Sequence, residues 1–338
     1  MDINTAIDHV HAGRHLSMQQ MESVMGQIMD GLCDEEQIAL LLTGLHDKGE
    51  TVEEVAGAAA AMRRQMTPIR SRRTGLLDTC GTGGDGSKTF NISTTAALVA
   101  AAAGVPVAKH GNRGMTSRSG SADVLAALGV NIEADVACVE ACLDELGICF
   151  CFAPLLHKAM KHVAPVRKKL GTPTVFNILG PLVNPAAAPF QLLGVGRSAL
   201  QPLMAETLLL LGTKHAVIVH GADGLDEVSI SGPTHVIEAL GGRLRHFDWT
   251  PADFGLEAAG IETMLVTGPE ESAAMIRGVL DNRPGPPRDI VIANAAAALW
   301  TARRDPSPRK SAQIAANAIA SGAARELLDR LIERTQAW

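Results

Sequence analysis

The apolar residues of this chain change their period at Gly75, and that change limits the fold more than any other feature of the sequence. Before it, apolar side chains recur at helical spacing: Ile3, Ala6, Ile7 and Val10, then Met21, Val24, Met25, Ile28 and Met29. Ile38, Leu41, Leu42 and Leu45 make a third face, and Val55, Ala56, Ala59 and Met62 a fourth. Ser17 with Gln20, Asp34 with Gln37 and Thr51 with Glu54 have the spacing of side chains that cap helix starts, which predicts four short helices. After Gly75, short apolar runs alternate with helical stretches, the pattern of a parallel sheet with crossover helices. Strands are predicted at 76–79, 105–108, 148–152, 191–195 and 216–219. Helices are predicted near 94–103, 122–128, 136–146, 199–211, 270–280, 288–301 and 309–334.

The expectation is an α/β protein with a small all-helical N-terminal domain and a larger α/β domain built on a mainly parallel central sheet. The helical domain spans residues 1–70 and is completed by about 158–189, a stretch that carries a basic cluster and fits the sheet pattern poorly. The α/β domain spans 71–157 and 190–338. At 338 residues such a division is in scale with ordinary domains.

Composition removes several functions. Aromatic residues make up 3% of the chain, with seven Phe, three Trp and no Tyr, too few for base-stacking platforms. With 30 Lys and Arg against 36 Asp and Glu, a net charge of −6 does not suggest a general polyanion-binding surface, so no nucleic-acid partner is expected. The basic run from Arg63 to Arg73 reads as a helix end and polar linker. Six cysteines without a C-x-x-C pair or a zinc spacing read as reduced thiols, and the longest apolar run, Ala96 to Ala108, is broken by Gly104 and Pro106. A soluble cytoplasmic protein with no membrane partner is expected.

Gly81-Thr82-Gly83-Gly84-Asp85-Gly86 lies between a predicted strand and a predicted helix, where free N–H groups and the helix dipole favour a phosphate. A tight turn is the alternative. The spacing is G-x-G-x-x-G, but Lys109-His110 stands where a nicotinamide-binding fold wants an acidic residue, and Ser87 breaks a Walker loop. The next strand end supplies cations, hydroxyls and glycines from Lys109 to Ser117, a second cradle beside the first. Two cradles suggest a ligand with two separated phosphate groups. A third loop, His220 to Glu227, follows an apolar strand and ends in adjacent carboxylates, Asp226 and Glu227, of the hard-oxygen type that holds Mg²⁺ beside phosphates.

Together, Asp78 to Gly86, Thr89 to Thr94 and Lys109 to Ser117 resemble the anthranilate phosphoribosyltransferase family. Lys48-Gly49-Glu50-Thr51, the stretch Phe176 to Pro185 and the Asp226-Glu227 loop extend that resemblance over nearly the whole chain. It implies a homodimer joined through the helical domains and Mg²⁺-dependent transfer of phosphoribosyl from phosphoribosyl diphosphate (PRPP) to the amine of anthranilate. By motif match, PRPP would meet Gly81, Gly84, Asp85, Thr89, Asn91, Ile92, Ser93 and Thr94 on one side. Lys109, His110, Gly111, Asn112, Arg113, Gly114, Met115, Thr116, Ser117 and Ser121 would meet it on the other. The match implies Ser93, Asp226 and Glu227 for the metal, and Gly81, Asn112, His157 and Arg167 for anthranilate. No catalytic acid or base is implied, because an aromatic amine carries its own lone pair at neutral pH. Where the family commonly has an Arg after Leu-Gly, this chain reads Leu170-Gly171-Thr172-Pro173. The alternatives are a pyrimidine nucleoside phosphorylase-like enzyme and a catalytically silent, nucleic-acid-binding relative.

Overall fold

A computed structural model describes residues 1–114 and 119–337. Four helices open the chain: α1 (Ile3–His11), α2 (Met18–Met29), α3 (Glu35–Lys48) and α4 (Val52–Gln65). Each expected side-chain cap forms, with Ser17, Asp34 and Thr51 accepting from the third helical N–H and Gln20, Gln37 and Glu54 reaching back. Glu54 does more than cap. Fully buried, it accepts from Leu16 N at 2.9 Å and Thr51 N at 2.9 Å and pairs with Lys48 Nζ at 2.8 Å, tying three segments together.

The rest is built on one seven-stranded sheet. Its strands are β1 (Leu77–Gly81), β2 (Val107–Gly111), β3 (Ile148–Phe152), β4 (Phe190–Gly194), β5 (His215–Gly221), β6 (Thr234–Leu240) and β7 (Arg243–Trp249), ordered 3-2-1-4-5-6-7. The first five are parallel and the last two antiparallel. β1 lies between β2 and β4, so the chain leaves the sheet centre in opposite directions from these neighbours, the arrangement that opens a crevice at strand C-termini. Two apolar helices, Ile92–Ala102 and Pro286–Thr301, are buried on nearly every side and cover one sheet face.

The other face shares its core with the N-terminal helices. Val163, Val166, Phe176, Leu179 and Leu182 belong to the same buried cluster as Met25, Leu42 and Val55, and so do Leu193 and Ile218 of the sheet. The linker cations are spent on the protein: Arg63 donates to Leu182 O at 2.7 Å, Arg64 pairs with Glu22 at 2.6 Å and Arg72 with Asp144 at 2.9 Å. No helix of the described residues is long and apolar enough to cross a membrane.

Two features escaped the sequence reading. β6 and β7 form a hairpin around Gly241-Gly242, both at positive φ (58° and 77°), the two-residue turn that glycine pairs favour. The predicted helix at 309–334 is two helices, Pro308–Ala320 and Ala323–Gln336, separated by Gly322 at φ 78°.

α2 and α4 cross where Gly57 faces Met18, and a Cβ on Gly57 would lie 2.3 Å from the Met18 carbonyl oxygen. Gly57→Ala should therefore destabilise the protein by about 1 to 3 kcal/mol through overpacking, despite alanine's better helix propensity, as read by denaturant unfolding.

Candidate active site

The first loop follows β1 and the second follows β2. A third, between β5 and β6, carries Asp226 and Glu227. All three line one open cleft of about 390 Å³. In the first loop Gly83, Gly84 and Gly86 take φ of 66°, 80° and 70°, a run of left-handed backbone only glycine adopts cheaply. Asp226 Oδ2 accepts from Gly83 N at 3.0 Å, which pins this loop to the third. At the start of helix Ile92–Ala102 the Ser93 N–H donates to Glu227 Oε1 at 3.0 Å. A carboxylate therefore already faces the positive end of that helix.

Close approach is paid for in glycine. A Cβ on Gly81 would lie 2.5 Å from Asp226 Oδ2, and one on Gly194 only 1.7 Å from the Asp226 carbonyl oxygen. Burial raises the Asp226 carboxyl to about 7, and the charge of Asp85 adds to it. Burial, then Asp226, raises Glu227 well above the ordinary glutamate range. Among the described residues no Lys or Arg forms an ion pair with either. Lys109, which also lines the cleft, is buried with its Nζ donating to Thr79 O and lying 3.5 Å from Ser93 Oγ.

These groups suit a hard divalent cation. Ser93, Asp226 and Glu227 all reach the cleft with oxygen donors, and a cation there would relieve the carboxylates' mutual repulsion. Among the described residues no three His, Cys, Asp or Glu side chains form a protein-only cage. That suits Mg²⁺, which keeps waters and shares its coordination with phosphate oxygens.

The second loop is held by Asp123, a residue the sequence reading did not single out. Its carboxylate accepts from Gly114 N at 2.8 Å and Gly120 N at 3.0 Å and pairs with Arg113 Nη1 at 3.2 Å. Arg113 is thus partly committed to the protein. The signal was present as Gly120 followed three residues later by Asp123, the spacing of a helix start. Asn91, expected beside the donor, lines the cleft, but its side chain joins Ser119 and Ser272, donating to Ser119 O at 3.1 Å and accepting from Ser272 Oγ at 2.8 Å.

Gly81, Gly84, Asp85, Thr89, Ile92 and Ser93 line the cleft as expected, and so do His110, Gly111, Asn112, Gly114 and Ser121. Met115, Thr116 and Ser117 lie outside the described residues. Two expected residues do not line the cleft. Thr94 is buried in the core, because successive helix positions turn by about 100° and Ser93 takes the position facing the cleft. His157 is also buried and does not line the cleft; its Nε2 lies 3.1 Å from Nε2 of His110, which does.

Arg167 lines the cleft together with Phe176, Asn177, Gly180 and Pro181, four residues the sequence reading had not singled out individually. Its guanidinium donates to Asn177 Oδ1 at 3.3 Å and lies 5.7 Å from the Phe176 ring centre. A half-buried guanidinium with open donor positions suits a carboxylate.

The two buried histidines have a measurable consequence. Burial lowers His110 to about 3, with neighbouring His157 adding to the shift, and lowers His157 to about 4. His110 Nδ1 faces Gly180 O at 3.1 Å and must donate, which leaves its Nε2 to accept from His157. Both rings are neutral when folded but take protons near 6.5 when unfolded, so the stability they contribute is fully present above pH 6.5 and is lost as pH falls through about 4 for His157 and about 3 for His110. Each ring's contribution should fall by up to about 1.4 kcal/mol per pH unit, against an opposite contribution from the raised Asp226 and Glu227, and His157→Gln should remove its share of the slope relative to the unaltered protein. Denaturant unfolding at stepped pH measures it, and an unchanged slope would contradict the buried neutral pair.

Comparison with known proteins agrees with this geometry. Residues 4–66 match the model of the glycosyl transferase family helical bundle domain, and residues 73–325 that of the family's a/b domain. An anthranilate phosphoribosyltransferase of Laribacter hongkongensis is 49% identical over 98% of this chain and 97% of its own, and one of Rhodopirellula baltica is 47% identical over the same shares. The crystal structure of the Thermus thermophilus anthranilate phosphoribosyltransferase superposes with a TM-score of 0.92 at 43% identity, covering 98% of this chain and 99% of that one. The Saccharomyces cerevisiae enzyme in complex with PRPP and Mg superposes with a TM-score of 0.91 at 30% identity, covering 99% and 98%. This chain belongs to the anthranilate phosphoribosyltransferase family.

Proposed function

We propose that this protein transfers the phosphoribosyl group of PRPP to the amine of anthranilate with Mg²⁺, releasing diphosphate and N-(5-phosphoribosyl)anthranilate for tryptophan biosynthesis. The observation that carries this reading is one cleft lined by N–H-rich glycine loops, two raised carboxylates and Arg167. The glycine loop and the helix start at Ile92 bind the donor's phosphates, and the second loop holds its other end. Ser93, Asp226 and Glu227 hold the cation. When bound, Mg²⁺ supplies positive charge to the departing diphosphate. Gly81 and Asn112 line the path between donor and acceptor, while Arg167 grips the acceptor carboxylate and aims the amine. No side chain removes a proton in advance, since the attacking nitrogen already holds its lone pair. His157 acts only through the His110 ring it braces.

Residues 1–70 with 158–189 form the helical domain in this reading, and 71–157 with 190–338 the PRPP-binding domain. Two such chains associate through the helical domains in the cytoplasm. Leu32 and Leu40, exposed on that unit, support the placement of the dimer contact.

Loss of anthranilate fluorescence on mixing with PRPP and Mg²⁺ tests the reading directly, and no loss at micromolar enzyme would refute it. Changing Asp226 and Glu227 together to Ala should abolish turnover in a protein that still folds. Arg167→Ala should weaken anthranilate use by roughly 10- to 150-fold, equivalent to about 1.5 to 3 kcal/mol, with PRPP affinity changed much less. Steady-state kinetics with each substrate varied separates the two, and a loss confined to PRPP would move Arg167 to the donor.

A further inference from the structure

The carboxylates Asp226 and Glu227 sit in the middle of the twelve-residue connection that joins β5 to β6, and both reach the cleft lining. Its backbone closes at the base, where Ala222 N donates to Pro233 O at 2.9 Å and Gly221 N to Leu225 O at 2.9 Å. Beyond those two bonds, Ile230 O accepts from Ala259 N at 2.9 Å and Ser229 N donates to Thr234 Oγ1 at 2.9 Å, while the peptide groups of Val228 need partners from elsewhere. Two side chains outside the expected site brace the loop.

On the core side stands Asn294, fully buried in the Ala-rich helix Pro286–Thr301. Its Oδ1 accepts from Val228 N at 2.8 Å and its Nδ2 donates to Val228 O at 2.9 Å. One carboxamide thus pairs both backbone groups of the residue that follows Glu227, as a neighbouring strand would. A second Nδ2 bond to Ile290 O at 2.9 Å fixes the amide's orientation. An asparagine in an otherwise apolar helix costs helix propensity and burial, and nothing else nearby needs its polarity. On the solvent side Asp223 binds the rest of the loop. Its Oδ2 accepts from Ser229 Oγ at 2.6 Å and from Ser231 Oγ, and its Oδ1 from Leu225 N at 3.2 Å.

We propose that Asn294 and Asp223 are positioning residues that clamp the Asp226-Glu227 segment from its two sides and thereby set the strength with which this chain couples cation binding to PRPP binding. The proposal deepens the functional reading above and rests on it. Neither residue lines the cleft, so neither touches substrate. Their effect passes through the backbone: the Val228 peptide sets where the Glu227 carboxylate begins, and Asp223 limits rotation of the turn that carries Asp226. Glu227 and Asn294 both line a small internal cavity with Ser93, so the asparagine's side of the loop lies directly behind the carboxylate it positions. A carboxylate that can relax away from Ser93 N would no longer meet a cation and a diphosphate in one geometry.

The test measures PRPP affinity by calorimetry with and without Mg²⁺, taking the ratio as a coupling factor, on the unaltered protein, Asn294→Ala and Asp223→Ala. Circular dichroism and a thermal melt check each fold. Each variant should lower the coupling factor by at least about fivefold while leaving metal-free PRPP affinity within about twofold, the size of a typical coupling change. A residue that served stability alone would lower the melting temperature and leave the ratio intact. Asp223 lies on the surface, so Asp223→Ala decides the question even if Asn294→Ala does not fold. A folded variant of either residue that keeps the coupling factor of the unaltered protein overturns the clamp. If the unaltered protein itself shows no Mg²⁺ dependence of PRPP binding, the functional reading fails instead, and the clamp with it.

Discussion

The passage of the Asp226 peptide against the ends of β1 and β4 is the constraint on which the rest of this structure depends. The fit admits no Cβ at Gly81 or Gly194, the paired residues that end these two central strands. With that fit, Asp226 reaches Gly83 N and Glu227 reaches the first turn of the following helix. Two carboxyl groups are thus held where the helix dipole is positive, yet burial first, and nearby acidic groups second, raise both above their ordinary range. The cleft is built around a deficit of positive charge, which a hard cation and its phosphate partner are suited to fill.

That electrostatic arrangement needs both halves of the chain. The carboxylates and glycine loops come from the sheet, whereas Arg167 comes from a short helix, Ala164–Leu170, whose Val166 belongs to the core shared with the N-terminal helices. Glu54 and Lys48 brace those helices by a buried pair, and Asp123 braces the second loop by two backbone bonds. The carboxylates and Arg167 are therefore carried by different packing units that line a single crevice.

Much of this was legible from residue order. Helices α1 to α4 appear where capping side chains and periodicity put them, and β3 spans the expected residues, because both signals act within a few positions along the chain. The β6–β7 hairpin was missed although Gly241-Gly242 marked it, since its outer strand alternates charged and apolar residues at a sheet edge and never makes a continuous apolar run. That Thr94 and His157 lie behind the cleft lining was not legible for a different reason. Motif position says which segment approaches a ligand, but the helical turn and the packing of His110 over His157 decide which side chain faces it.

The sequence by itself determined the two classes of architecture, the three strand-end loops, the hard-ligand character of Asp226 and Glu227 and the presence of Arg167, because each is a matter of local period or local chemistry. Tertiary structure alone decided that Asn294, in the helix Pro286–Thr301, holds Val228, that Asp123 gathers the second loop, and that Lys109 donates its ammonium to Thr79 O. It also decided the charge state of the carboxylates, which depends on how deeply they are buried and on the approach of Asp85 to Asp226. Those contacts join residues far apart in the chain, and no periodicity records them. Their partners are chosen by the packing of completed helices and strands, after local sequence has finished its part.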